Sequence, residues 1–238
     1  MRQRRHRDSP SFSLWRLCGV FVRRCIVGVL ILSMLTNCAQ RPDAANSDRL
    51  CFTCTGKDCQ RFTATEVPEL AGGRFDHGAI DLTGDGVPEH VCLEGAQVTI
   101  HQDDVEMWRS PEAWEVVDVA LGDPNDDGRN EVFVIFWRED ETGQRTNQPF
   151  IIGHRGGYYR ELWGGSPVGF PITEVELADI TGDGRQDLLV IEERSLAIWQ
   201  WNQWWFSHVW RSEAGAYHNL HVGQDEEQRA MMCVFKKK

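Results

Sequence analysis

Three short stretches carry oxygen-bearing side chains at one repeated spacing. Asp179, Thr181, Asp183 and Asp187 take the first, third, fifth and ninth places of Asp179-Ile180-Thr181-Gly182-Asp183-Gly184-Arg185-Gln186-Asp187. Asp81, Thr83, Asp85 and Glu89 repeat that spacing, as do Asp123, Asn125, Asp127 and Glu131. A hard cation such as Ca²⁺ needs several oxygen ligands at once, and a tight loop supplies them from alternate side chains, a backbone carbonyl and a closing carboxylate. The carbonyls expected here, at the seventh place, are those of Val87, Arg129 and Arg185. Gly86, Gly128 and Gly184, each at the sixth place, admit the positive φ that turns the chain back over an ion. The closing acid comes at the ninth place, between β-type runs, which excludes an EF-hand. One Asp-Gly turn closes an ordinary hairpin without metal. Three copies with acids at matching places favour a cation. Asn125 is a better ligand than Thr83 or Thr181, so the middle loop is expected to bind best.

The elements that must hold these loops are strands. Each loop runs into an apolar stretch: His90-Val91-Cys92-Leu93, Val132-Phe133-Val134-Ile135-Phe136 and Leu188-Leu189-Val190-Ile191. Further strand-like runs follow, and the units end alike at Trp108-Arg109-Ser110, Trp163-Gly164-Gly165-Ser166 and Trp210-Arg211-Ser212. Loop starts at 81, 123 and 179 give periods of 42 and 56 residues, lengths that suit a four-stranded propeller blade. A fourth unit, read from Val222, lacks the first Asp, the Gly and the final acid, and is predicted to hold no metal. Only its first two strands precede the chain end. The missing outer strands are expected from the beginning, where Arg61 to Val67 alternates as a strand does, so that the two ends share a blade and leave no sheet edge open. The fold expected is all-β: a small propeller, or propeller-like array, of about four blades over 61–238.

The form Asp-x-Thr-Gly-Asp-Gly-x-x-Asp resembles the FG-GAP, or VCBS, repeats of integrin α-chain-like β-propellers, over roughly residues 60–235. The resemblance implies Ca²⁺ in the hairpin loops, held by Asp81, Thr83, Asp85, Val87 and Glu89; by Asp123, Asn125, Asp127, Arg129 and Glu131; and by Asp179, Thr181, Asp183, Arg185 and Asp187. Such ions are expected to be structural.

Residues 1–37 read as an address. Seven arginines precede the apolar stretch from Cys25 to Leu35, which suits a signal-peptide core and is too short for a membrane span. It ends in Leu35-Thr36-Asn37-Cys38, which resembles the lipobox of bacterial lipoproteins; the resemblance implies lipidation at Cys38 and an outer-membrane destination in the cell envelope. Membrane contact is then expected through the lipid alone. Without this leader, 18 basic residues face 35 acidic ones, a formal charge of −17, which argues against nucleic acid as a partner. Residues 38–60 read as a tether and a Cys-rich segment, whose Cys51, Cys54 and Cys59 favour disulfides in an exported protein. Cys92 and Cys233 stand at equivalent places of two units and read as buried thiols, with a bond between them as the alternative.

Catalytic signatures are thin. The chain has no His-Glu-x-x-His, no Gly-x-Ser-x-Gly and no phosphate-cradling loop. His218 and His221 read as structural. Trp199, Trp201, Trp204, Trp205, Phe206 and Trp210 crowd one short stretch. Their expected place is the packing between blades, and exposure of Trp204 and Trp205 would instead mark a platform for a protein or a glycan. The expectation is a calcium-binding, lipid-anchored, non-enzymatic binding or scaffold module; the alternative is an envelope enzyme, a polysaccharide lyase or hydrolase, built on a propeller.

Overall fold

A computed structural model describes residues 48–62, 77–165, 169–225 and 227–236. The leader, Cys38 and most of the Arg61 to Val67 stretch lie outside these residues. The first two strands, β1 (Asp48–Thr55) and β2 (Asp58–Phe62), are set aside for the end of the ring. The first blade is β3 (His77–Ile80), β4 (Glu89–Glu94), β5 (Gln97–Gln102) and β6 (Val105–Arg109). The second is β7 (Glu115–Gly122), β8 (Glu131–Glu139), β9 (Arg145–Arg155) and β10 (Tyr158–Gly164). The third is β11 (Ile172–Ala178), β12 (Asp187–Glu192), β13 (Ser195–Asn202) and β14 (Trp205–Arg211). Last come β15 (Tyr217–Gln224) and β16 (Ala230–Lys236), and their sheet is completed in the order β15-β16-β1-β2. The result is a four-bladed β-propeller of antiparallel sheets.

Period-two side-chain alternation explains why the central run of the second strand of each middle blade, Val132 to Phe136 and Leu188 to Ile191, is apolar without a break. On β8, Val132, Val134 and Phe136 pack toward the first blade while Phe133 and Ile135 pack toward the third. On β12, Leu188 and Val190 face the second blade while Leu189 and Ile191 face Leu50, Phe52, Met232 and Val234 of the fourth. A strand covered on both faces has no polar side to show. Trp114 anchors the first interface, stacked on Phe136 with centroids 3.9 Å apart.

The first strand of each of the last three blades carries a bulge, between Val116 and Asp118, Ile172 and Glu174, and His218 and His221. Bulges sharpen strand twist. They also present backbone amides that buried acids cap across blades: Asp118 Oδ2 accepts from Val175 N at 2.7 Å, and Glu174 accepts from Asn219 N and Leu220 N at 2.9 and 2.8 Å. The Trp-x-Ser endings are likewise structural. Ser110 donates its N–H to Val98 O and accepts from Val98 N through Oγ, and Ser212 does the same with Leu196.

Closure differs in detail from expectation. The outer strands of the last blade are taken from Asp48 to Phe62, so the Cys-rich segment is itself part of the sheet. Cys51 lies opposite Cys233 on the paired strands β1 and β16, and these two form a disulfide; a second joins Cys54 to Cys59 across the β1–β2 hairpin. Cys233 is therefore not the buried thiol expected of it, nor does it pair with Cys92. The repeat made those two positions equivalent, but equivalence within separate blades keeps them apart, whereas strand neighbours across the seam meet.

Candidate metal centre

The three acidic loops are the β3–β4, β7–β8 and β11–β12 connections. Each is organised by its first Asp. Asp81 accepts from Gly84 N and Gly86 N at 2.7 and 2.8 Å, Asp123 from Asp127 N and Gly128 N at 3.0 and 2.8 Å, and Asp179 from Gly182 N, Asp183 N and Gly184 N at 2.7, 3.0 and 2.9 Å. These bonds to the Asp81 carboxylate, that of Gly86 foremost, hold it below its ordinary value. The sixth-place glycines have φ near +80 to +90°, as the turn requires. At the fourth place Gly84 and Gly182 are also left-handed, and Asp126 adopts φ 54° in their stead.

The closing acids turn inward and are fully buried: Glu89, Glu131 and Asp187 are each 0% exposed. Asp187 is fully partnered, since Oδ2 accepts from Ile180 N and Thr181 N at 2.9 Å and Oδ1 accepts from Gln200 Nε2 at 2.8 Å. Glu89 Oε2 accepts from Leu82 N at 2.7 Å, but its Oε1 is buried without a hydrogen bond, and so is Oε2 of Glu131. A buried carboxylate oxygen without a donor is an expensive arrangement in a protein alone. In the middle loop, one oxygen from each of Asp123, Asp127 and Glu131 lies within 4.8 Å of the others. Two oxygens on opposite sides of one Ca²⁺ are about 5 Å apart. The donor set is oxygen throughout, so the residues fit a hard cation.

Each loop also has a neighbour that the spacing did not reveal. In the middle loop, Arg155 at the end of β9 sends Nη2 to Asp127 Oδ2 at 2.5 Å and Glu131 Oε1 at 2.6 Å. An internal cation thus lies across the loop expected to bind best. Burial pushes Glu131 up to about 7; Arg155 opposes that rise, and Asp127 and Asp123 add to it. In the third loop, Gln200 Nε2 touches Thr181 Oγ1, Asp183 Oδ2 and Asp187 Oδ1 at 3.0, 3.0 and 2.8 Å. Burial raises Asp187 as well. Beside the first loop, burial and the carboxylates of Glu89, Asp85 and Asp81 hold the Tyr159 phenol far above its usual range.

The loops are chained to one another along one rim. Asn130 Nδ2 donates to Asp81 O at 3.0 Å, and Asp123 N donates to Gln186 Oε1 at 2.6 Å. Asn130 and Gln186 share the eighth place of the pattern, a signal present in the sequence. Gly56 N, in the β1–β2 turn, continues the chain to Thr181 O at 3.0 Å. The fourth unit keeps more of the pattern than its sequence suggests. Strand register places Asp225, not Val222, at the first position, with Ala230 at the last and the loop shortened between them. Asp225 still accepts from Glu227 N and Arg229 N at 2.9 Å, and Arg229 Nε bonds its other oxygen at 2.7 Å.

The aromatic run divides between the two expected places. Trp199 and Phe206 are in the core, whereas Trp204 and Trp205 are 74% and 53% exposed. They sit at the β13–β14 turn, on the same rim as the loops, since Arg185 Nη1 reaches Trp201 O at 3.4 Å. His218 and His221 pack against Phe235. Among the described residues no helix is long and apolar enough to cross a membrane.

A scan against protein-family models finds no match to this chain, and a search of curated proteins finds none either.

Proposed function

We propose that this protein is a calcium-stabilised propeller of the FG-GAP/VCBS kind, anchored in a bacterial envelope by a lipid on Cys38, that works without catalysis by presenting a rim to a protein or glycan. The observation that carries the calcium reading is the pair of fully buried carboxylates, Glu89 and Glu131, each with an oxygen that no donor reaches. The ligands would be the fifteen residues named for the three loops, with the acids, Thr83, Thr181 and Asn125 supplying side-chain oxygens and Val87, Arg129 and Arg185 their backbone carbonyls. When bound, the ion would neutralise clustered acids and tie together the first two strands of each of the first three blades. Two disulfides among Cys51, Cys54, Cys59 and Cys233 support an exported protein.

At ~1 mM calcium, a site with Kd of ~0.1 mM adds roughly 1.4 kcal/mol, so three sites add about 4 kcal/mol. Thermal unfolding in calcium should therefore lie well above that in excess chelator, and Asp123→Ala and Asp183→Ala should each remove part of the difference. Equal melting temperatures in both buffers would refute the calcium reading. The anchor is tested separately: metabolic palmitate labelling should mark the protein in bacteria and vanish in Cys38→Ala, and an unlabelled wild type would sink it.

A further inference from the structure

The three loops differ in what their oxygens still have to offer an ion. In the third, both oxygens of the closing Asp187 already accept hydrogen bonds. In the middle loop the Arg155 guanidinium is paired with Asp127 and Glu131, so an incoming cation must displace or oppose a resident positive charge. The first loop has neither obstacle. Among the described residues no cationic side chain pairs with Asp81, Asp85 or Glu89, and Glu89 Oε1 is buried without a donor.

A second unmet oxygen stands beside this loop, and it comes from the next blade. Tyr159, on β10, is 8% exposed, and its hydroxyl is buried without a hydrogen bond. His154, directly opposite on β9, lies against its ring at 5.1 Å. The ring belongs to the core cluster between the first and second blades, together with Leu82, the second residue of the loop. Leu82 N in turn donates to Glu89 Oε2. The carboxylates that act on the phenol are those of Glu89, Asp85 and Asp81, all of the first loop. The Tyr159 hydroxyl and Glu89 Oε1 are thus both buried and both unmet, without bonding each other. That is costly in the protein alone, and each is an oxygen donor of the kind Ca²⁺ takes. The second blade also braces the loop through Asn130, which donates to Asp81 O. We infer that the first loop is the principal calcium site and that the Tyr159 hydroxyl, from the neighbouring blade, completes its coordination. The ion then joins two blades as well as two strands of one hairpin. This deepens the calcium reading, rests on it, and reverses the expectation that the middle loop binds best.

The test is calcium titration of the full-length protein, stripped with chelator and held in mild detergent, read by calorimetry with thermal unfolding alongside. The tightest binding step should weaken about tenfold in Tyr159→Phe and disappear in Glu89→Gln, whereas Asp127→Asn should remove a weaker step. In chelator Tyr159→Phe should melt at or above the wild type, because it keeps the ring and removes an unmet hydroxyl. In calcium it should melt below. A hydroxyl with only a packing role would not produce that crossing. Unchanged calcium affinity in Tyr159→Phe overturns the assignment, as does a tightest step that survives Glu89→Gln and is lost in Asp127→Asn. A Tyr159→Phe variant that melts lower in chelator, with its affinity intact, also overturns it and gives the hydroxyl to a buried water. Calcium binding that ignores Tyr159 would leave the calcium reading standing without this site. No binding by the wild type would remove both.

Discussion

Replacing Cys51 and Cys233 together by alanine should lower the unfolding free energy by about 4–5 kcal/mol, the largest single loss expected in this protein. The bond closes a span of 182 residues, and in the chain-entropy view a cross-link restricts the unfolded ensemble more as the loop lengthens. It also lies at the one seam where the ring is closed by strands from opposite ends of the chain, β1 against β16. Both sulfurs are buried beside Met231, so alanine also leaves a small void. The Cys54–Cys59 bond spans only five residues, and its removal should cost about 2 kcal/mol by the same reasoning. Urea unfolding of the two double variants, and of the wild type with and without reductant, measures the difference. Equal losses from the two bonds would show that loop length is not what the long bond contributes.

The second large effect concerns Arg155. In calcium-free buffer, Arg155→Ala should destabilise the protein by about 3 kcal/mol, because it leaves Glu131 buried without its charged partner. The same change should strengthen calcium binding at the middle loop, since the guanidinium contacts Asp127 and Glu131, two of the oxygens an ion would use. Calcium should therefore rescue the variant by more than it stabilises the wild type. Glu131→Gln should do the opposite, tolerating chelator better but losing the calcium response of that loop. If Arg155→Ala were equally unstable with and without calcium, the two cations would not share a place.

The same carboxyl sets a pH dependence. Glu131 is pushed up to about 7 by burial, with Asp127 and Asp123 adding to the rise and Arg155 opposing it, against an ordinary 4.5. Between these values the folded protein holds a proton that the unfolded chain has released. Its contribution to stability is thus complete below pH 4.5 and lost as pH rises through about 7, a fall of about 3 kcal/mol. Calcium-free protein should show this decline in urea unfolding, and Glu131→Gln should flatten it. Saturating calcium, which favours the carboxylate, should do likewise.

Much of the architecture was legible because its signals are local. Acids and glycines recur at fixed places, and the apolar runs after them mark the doubly covered second strands. The four-blade count followed from the period, and the sharing of one blade by the two chain ends followed from the short last unit. What misled was distance along the chain or a choice between faces. The closing strands begin at Asp48 because pairing with β16 is set by register across the seam, which no local pattern encodes. The fourth loop was misaligned because its turn is shorter than the other three, so that counting back nine places from Ala230 overshoots Asp225. Trp204 and Trp205 could not be sorted from Trp199 by composition, since burial depends on which blade lies opposite.

By itself, the sequence determined the repeating hairpin, the residues that ring each acidic loop and the blade count, because turn chemistry and side-chain alternation act over a few residues. Only the tertiary structure decided what stands inside those loops. Arg155 and Gln200 arrive from the third strand of the same blade, and Gln186 from the next blade, through contacts fixed by strand pairing and blade packing. Tertiary packing also left two closing acids with a buried oxygen unmet, and put the exposed indoles on the same rim as the loops.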